Sequence, residues 1–340
     1  MKRGGFEPFD AGHLDVGDGH EIYYEQCGSR DGFPIVYLHG GPGSGCGDGH
    51  RRLLLTVPGY ETSVRAILFD QRGCGRSRPY CADDLAGLQS NTLAHLVGDL
   101  DALRRHLGIA RWGLCGGSWG TTLALNAALN AARNAALNTA SGSVLAARET
   151  VSFIVLAGIA LTRRCEIDWL FHDLRHVLPE AFQAFSRFAP AATDGVAQAR
   201  AHYEALVGSD ITLAHEAAQS WCDWEAAVAH VDPRSIRSTR WDDPRFRLGF
   251  ARMVTQYFHQ VDDAYDATIL KRLNRLSGLP VSLIQSRLDL DTPLKTAFEV
   301  HHAIEGSDLI LMDGALHSST EGAVADRVRS ELARRLDALV

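Results

Sequence analysis

Short, nearly continuous apolar runs alternate along the chain with longer stretches in which apolar residues recur at helical spacing. Ile35–Leu38, Ala66–Phe69, Trp112–Cys115, Phe153–Ala157, Val281–Ile284 and Leu309–Met312 each predict a buried strand. Their lack of polar alternation suits a parallel sheet covered on both faces. Between them the spacing turns helical. Leu93, Leu96, Val97, Leu100, Leu103 and Leu107 form one apolar stripe, with Asn91-Thr92 as a start signal and Gly108 as a stop. Strands alternating with helices predict an α/β fold with a doubly wound, mostly parallel sheet.

That rhythm breaks between about residues 163 and 275. Trp169, Phe171, Trp221, Trp224, Trp241, Tyr257 and Phe258 fall there in helical surroundings, without a clear strand. The pattern predicts a helical cap at 163–275, inserted into a discontinuous core domain formed by 1–162 and 276–340. One internal repeat stands out. Asn126-Ala-Ala-Leu, Asn130-Ala-Ala-Arg, Asn134-Ala-Ala-Leu and Asn138 recur every four residues, without Gly or Pro. Alanine is the strongest helix former, so a long helix closing at Ser141-Gly142-Ser143 is expected.

Composition narrows the function classes. The 340 residues are 46% hydrophobic and 22% charged, too apolar for a disordered chain. The net charge is −7 and there is no long basic run, so nucleic acid is not an expected partner. No apolar run approaches the roughly 20 residues of a membrane helix, and Met1–Asp10 lacks the apolar centre of a secretory signal. Seven scattered cysteines (27, 46, 74, 81, 115, 165 and 222), with no C-x-x-C, predict reduced thiols in a cytoplasmic protein.

The strongest chemical signal is Gly116-Gly117-Ser118-Trp119-Gly120, between a predicted strand and a predicted helix. This is the G-x-S-x-G nucleophile elbow in its required context. The serine must stand exposed on a sharp turn, so small neighbours are needed, and the following helix brings its positive end to a developing oxyanion. His39-Gly40-Gly41-Pro42-Gly43 follows another strand, and a backbone N–H near Gly41 would pair with that of Trp119 in an oxyanion hole. A phosphate cradle does not fit, because Cys46, Asp48 and His50 fall where later glycines would be required.

A nucleophilic serine needs a base, and the base an orienting acid. In this architecture the chain order is serine, acid, histidine. Asp289 follows the run at 281–284 and His317 follows that at 309–312, so these two are the expected acid and base. Asp291 is the rival acid, and Asp313 a weaker one. His172 and His176 have the i, i+4 spacing of a zinc helix, but Asp173 stands where a general-base glutamate belongs and no third ligand is evident; no metal and no cofactor are expected. A dehalogenase or epoxide hydrolase would want a carboxylate at 118.

Leu38-His-Gly-Gly-Pro-Gly43, Leu68-Phe-Asp-Gln-Arg-Gly-Cys-Gly-Arg-Ser77, Leu107-Gly-Ile-Ala-Arg-Trp112 and Gly116-Gly-Ser-Trp-Gly-Thr-Thr-Leu-Ala-Leu125 together resemble the proline iminopeptidase family of α/β hydrolases. Tyr23-Tyr-Glu-Gln-Cys-Gly28 and Leu161-Thr-Arg-Arg-Cys-Glu-Ile-Asp-Trp169 share the resemblance. It implies an α/β-hydrolase fold with an inserted helical cap and cofactor-free release of N-terminal proline from small peptides. By motif it implies Ser118 as nucleophile, Asp289 as acid, His317 as base, and Gly41 and Trp119 as oxyanion hole. Trp221-Cys-Asp-Trp224-Glu225 matches the family's amine-recognising motif, which implies substrate binding by Glu225 beside Trp224. A second glutamate of the family pattern is replaced by Val254 in Phe250-Ala-Arg-Met-Val254. The acid loop, Ser286-Arg-Leu-Asp289, and the Asn-Ala repeat also depart from the pattern. An esterase or amidase for small acyl substrates, using the same triad, is the alternative. The sequence leaves oligomeric state open.

Overall fold

The computed structural model describes residues 6–138, 148–231, 239–318 and 320–339. Eight strands make one sheet among the described residues, in the order β1-β2-β4-β3-β5-β6-β7-β8. They are β1 (Asp10–Gly17), β2 (His20–Gly28), β3 (Phe33–Leu38), β4 (Val64–Phe69), β5 (Trp112–Gly117), β6 (Val151–Ala157), β7 (Val281–Ser286) and β8 (Asp308–Met312). From β4 to β8 across the sheet, neighbours run parallel. β1 and β2 are antiparallel at one edge. The six apolar runs of the sequence are the six parallel strands. β5, β6 and β7 are buried at every position, as a sheet covered on both faces requires.

Alternation within each strand assigns its residues to two cores. Ile35, Tyr37, Ala66, Leu68, Phe153 and Val155 pack with Leu53–Leu55 of α1 (Asp48–Leu55) and with Val324, Val328 and Leu332 near the C-terminus. Val36, Leu38, Ile67, Phe69, Ile154 and Leu156 face the other way. They meet α2 (Leu93–His106) through Leu96, Leu100 and Leu103, and α3 (Trp119–Asn138) through Leu123 and Ala124. Thr92 caps α2, as the sequence predicts, by accepting from the His95 N–H.

Between β6 and β7 the described residues hold helices and no strand. These are α4 (Arg164–Phe171), α5 (Pro179–Ser186), α6 (Gly195–Leu206), α7 (Ile211–Ala229), α8 (Pro244–Phe258) and α9 (Asp263–Leu273). Their common centre is aromatic. Trp221, Trp224, Phe171 and Phe185 are fully buried, with the Phe171 and Trp221 rings 4.3 Å apart and Phe185 stacked on Trp224 at 5.3 Å. Rings of this size each bury 150–250 Å² and hold short helices in place that would not persist alone. Two further helices, α10 (Leu294–Ala303) and α11 (Gly322–Asp337), follow β7 and β8.

Two expectations change here. His172 and His176 do not share a helix: α4 ends at Phe171 and a single 3₁₀ turn, Asp173–His176, follows. The Asn-Ala repeat is helical as far as Asn138, whereas the expected stop at Ser141-Gly142-Ser143 lies outside the described residues. No helix among the described residues is long and apolar enough to cross a membrane.

Candidate active site

Ser118 sits between β5 and α3 with φ at +56°, a left-handed conformation that non-glycine residues adopt at a cost of about 1–3 kcal/mol. The turn is held by Ser118 N–H donating to the Ala157 carbonyl at 3.0 Å and by Thr121 N–H donating to the Ser118 carbonyl at 2.8 Å. Glycine is required at 120, where any Cβ would collide with the Leu38 carbonyl at the end of β3. Trp119 opens α3, so its N–H has no carbonyl within the helix to bond. The loop after β3 crosses the elbow, bringing Gly40 against Ser118. His39, fully buried, pins that loop: Nδ1–H donates to the Gly40 carbonyl at 3.0 Å, and Nε2 accepts from the Gln71 N–H at 3.1 Å.

Asp289 and His317 meet beyond the ends of β7 and β8. His317 Nδ1 donates to Asp289 Oδ2 at 2.8 Å, and the Asp289 side chain is 2% exposed. Thr292 completes the carboxylate's shell, donating N–H to Oδ1 and Oγ1–H to Oδ2, each at 2.8 Å. Gln285 Nε2 donates to the Thr292 carbonyl at 3.0 Å, while its Oε1 accepts from the Ile159 N–H at 2.7 Å. The acid loop is thereby tied to the end of β6. Asp313, the weaker rival, is 86% exposed and paired with Arg287. Asp291 makes no bond to His317.

Ser118 and His317 flank consecutive residues of one corner. Ser118 bonds Ala157, and the His317 ring packs on Gly158 so closely that a Cβ there would lie 2.9 Å from Cε1. No hydrogen bond joins Ser118 Oγ to the imidazole in this structure; such contacts commonly tighten only when substrate is bound.

A cavity of about 50 Å³ opens at Ser118. Gly41, Trp119, Glu225 and Asp291 are among its walls, with Ile167, Leu170, Phe171 and Phe258 on the apolar side. Trp224 is not. One residue before Glu225, it points about 100° away around α7, and its indole N–H donates to the Leu170 carbonyl at 3.0 Å. Trp221, four residues before Glu225 and on the same helix face, donates its indole N–H to Glu225 at 3.1 Å. That i, i+4 spacing was the signal in the sequence that could have selected it. A broader cleft of about 740 Å³ shares the walls Trp119 and Thr162 and is lined also by Asn126 and Asn130 of the repeat.

The comparisons with known proteins agree with this fold. The family model for the alpha/beta hydrolase fold matches residues 34–319. A probable proline iminopeptidase of Streptomyces coelicolor is 38% identical over 318 residues, covering 92% of this chain and 91% of that protein. A proline iminopeptidase of Arabidopsis thaliana is 33% identical, over 94% and 78% of the two chains. The chain belongs to the proline iminopeptidase family of α/β hydrolases. The crystal structure of a proline iminopeptidase from Mycobacterium smegmatis superposes with a TM-score of 0.63 at 22% identity, over 97% and 98% of the two chains.

Electrostatics in this hydrolase centre on three carboxylates around one imidazole. Burial disfavours the charged form of His317, yet Asp289, Asp291 and Glu225 outweigh it and raise the ring to about 10. Burial, reinforced by Asp291, pushes Glu225 up to about 8. Burial also raises Asp291, to about 6, against the attraction of His317. Among the described residues, Asp289, Asp291 and His317 are the one group of three or more His, Cys, Asp or Glu side chains whose ligand atoms all lie within 4.8 Å of one another. A metal ion bound there through Nδ1 would have to replace the Asp289–His317 hydrogen bond.

Gly158, with φ at +64°, forms the seat of the His317 ring, a contact that the sequence does not reveal. Gly158→Ala should strain the backbone and push the imidazole off its seat. We expect kcat/KM to fall at least tenfold, about 1.4 kcal/mol of transition-state stabilisation, with the melting temperature lowered modestly. Wild-type kinetics in this variant would show that the packing of His317 on Gly158 is immaterial.

Proposed function

We propose that the enzyme is a prolyl aminopeptidase that works through a Ser-His-Asp triad and an acyl-enzyme. His317 takes the Ser118 hydroxyl proton as Oγ attacks the carbonyl of the N-terminal residue. The Gly41 and Trp119 N–H groups face the oxyanion, and Asp289 stabilises the imidazolium. The imidazolium then protonates the departing peptide nitrogen, leaving the acyl group on Oγ. A water, deprotonated by the same imidazole, releases proline and restores Ser118.

The observation that carries this reading is the shared cavity: the elbow serine and the Glu225 carboxylate are walls of one small space. A cationic amine held by Glu225 would present the adjacent carbonyl to Ser118. At about 50 Å³ the space holds roughly four water-sized groups, a compact side chain rather than a long one. All seven cysteines are free thiols, five of them buried, which suits a reducing compartment such as the cytoplasm.

An esterase or amidase for small acyl groups is the second reading. It is favoured by Val254, which is fully buried and apolar where the family's pattern places a second glutamate. Turnover of a proline arylamide and of a short acyl ester lacking an amine, both in the presence of a chelator, separates the two. We expect the arylamide to be preferred, and Glu225→Gln to raise its KM about tenfold or more, the scale of a lost charge-assisted hydrogen bond. Cleavage of the ester alone would defeat the aminopeptidase assignment.

A further inference from the structure

Three carboxylates line the cavity at Ser118, and their partners set them apart. Glu166 is spent: Oε2 accepts the Leu161 and Thr162 N–H groups at 2.7 and 2.8 Å, and Oε1 takes Arg163 at 2.7 Å and Thr296 Oγ1–H at 3.1 Å. Among the described residues, Glu225 accepts one hydrogen bond, from the Trp221 indole. Asp291 Oδ2 is buried and has no hydrogen-bond partner in the structure. An unpaired buried carboxylate oxygen is costly and calls for a donor from elsewhere. Among the described residues, no Lys or Arg is a wall of the cavity. The His317 Nδ1 proton is already given to Asp289.

The loop geometry explains why two aspartates, two residues apart, end up with different surroundings. Trp169 Nε1–H donates to the Leu290 carbonyl at 2.8 Å, and the Thr292 N–H returns to Asp289 Oδ1. The intervening backbone is anchored on both sides. Asp289 is held against His317, and Asp291 becomes part of the cavity wall.

We propose that Asp291 is a specificity residue, the second anionic arm of a cation site that receives the protonated amine of the substrate's N-terminal residue together with Glu225. This rests on the aminopeptidase reading above and gives it a charge that Val254 cannot supply. Glu225 approaches from α7, and Asp291 from the loop after β7. The amine of an N-terminal residue is one carbon from the carbonyl to be attacked, so a cation held beside Ser118 selects chain ends. Internal peptide bonds carry no such charge. Asp291 also acts on His317, so a readout independent of the base is required.

Pyrrolidine, a cyclic secondary amine, supplies that readout as a competitive inhibitor, with tetrahydrofuran as its uncharged analogue. Inhibition constants are measured at one pH on the full chain and on Asp291→Asn and Asp291→Ser, each checked for folding by its melting curve. The reporter is whichever chromogenic substrate, ester or proline arylamide, the wild type turns over. Loss of Asp291 should raise the pyrrolidine constant about 10- to 100-fold, as for a lost charge-assisted bond, and shift that of tetrahydrofuran less than about threefold. A pyrrolidine constant that does not move, or that moves in step with tetrahydrofuran, overturns the proposal. An Asp291-dependent pyrrolidine effect in an enzyme that cannot cleave proline arylamides would remove the aminopeptidase reading and keep the cation site. Arylamide cleavage with an unmoved pyrrolidine constant would do the reverse.

Discussion

Ser118→Ala should lower kcat/KM by about 10⁴-fold or more, the scale on which removal of a triad nucleophile acts. The same variant should escape labelling by a serine-reactive phosphonate that marks the wild type. The change removes one oxygen from a left-handed residue whose own main chain is held by bonds to Ala157 and Thr121. Alanine meets that backbone on nearly the same terms as serine, so the fold should survive and the melting temperature should move by no more than a few degrees. Loss of activity with an intact fold therefore isolates the hydroxyl. Undiminished turnover by the variant, or labelling elsewhere in the chain, would remove Ser118 from the chemistry.

Asp289→Asn should cost about 10⁴-fold in kcat, because an amide at this place lets the imidazole present the wrong nitrogen to serine. In the structure Oδ2 accepts both the His317 Nδ1–H and the Thr292 hydroxyl, so an amide nitrogen there would face two donors. The pH profile carries a second signature. A general base works when neutral, so kcat/KM rises with pH through the pKa of His317. Asp289 is the strongest of the three carboxylates that raise that value. Its neutralisation should move the rising limb to lower pH even as the plateau falls. A limb that stays in place would mean that the observed ionisation belongs to another group.

Much of this architecture is legible in the chain because burial on both faces leaves an unmistakable mark. Phe153–Ala157 is apolar without interruption, and β6 is buried throughout. β1 is different. Its residues alternate between half-buried and exposed at the sheet edge, so no apolar run announces it, and β2 is disguised by His20, Glu25 and Gln26, polar residues buried within it. The site divides in the same way. Ser118 is written in a motif, and Asp289 and His317 in chain order after strands. The contrast between Asp289 and Asp291 is not local: it depends on Trp169, more than a hundred residues earlier, holding the Leu290 carbonyl. Helical phase separates two tryptophans that sequence adjacency does not: Trp221, four residues before Glu225, donates to it, while Trp224, its immediate neighbour, donates to the Leu170 carbonyl.

The helical stretch between β6 and β7 sets the order in which this enzyme can become active during its synthesis. Ser118 and its elbow leave the ribosome early, whereas Asp289 and His317 emerge only after α4 to α9 have been made. A nascent or truncated product ending before β7 would carry the hydroxyl without Asp289 and His317, the proposed acid and base. On the proposed mechanism, such a fragment could not attack peptides while still unfinished.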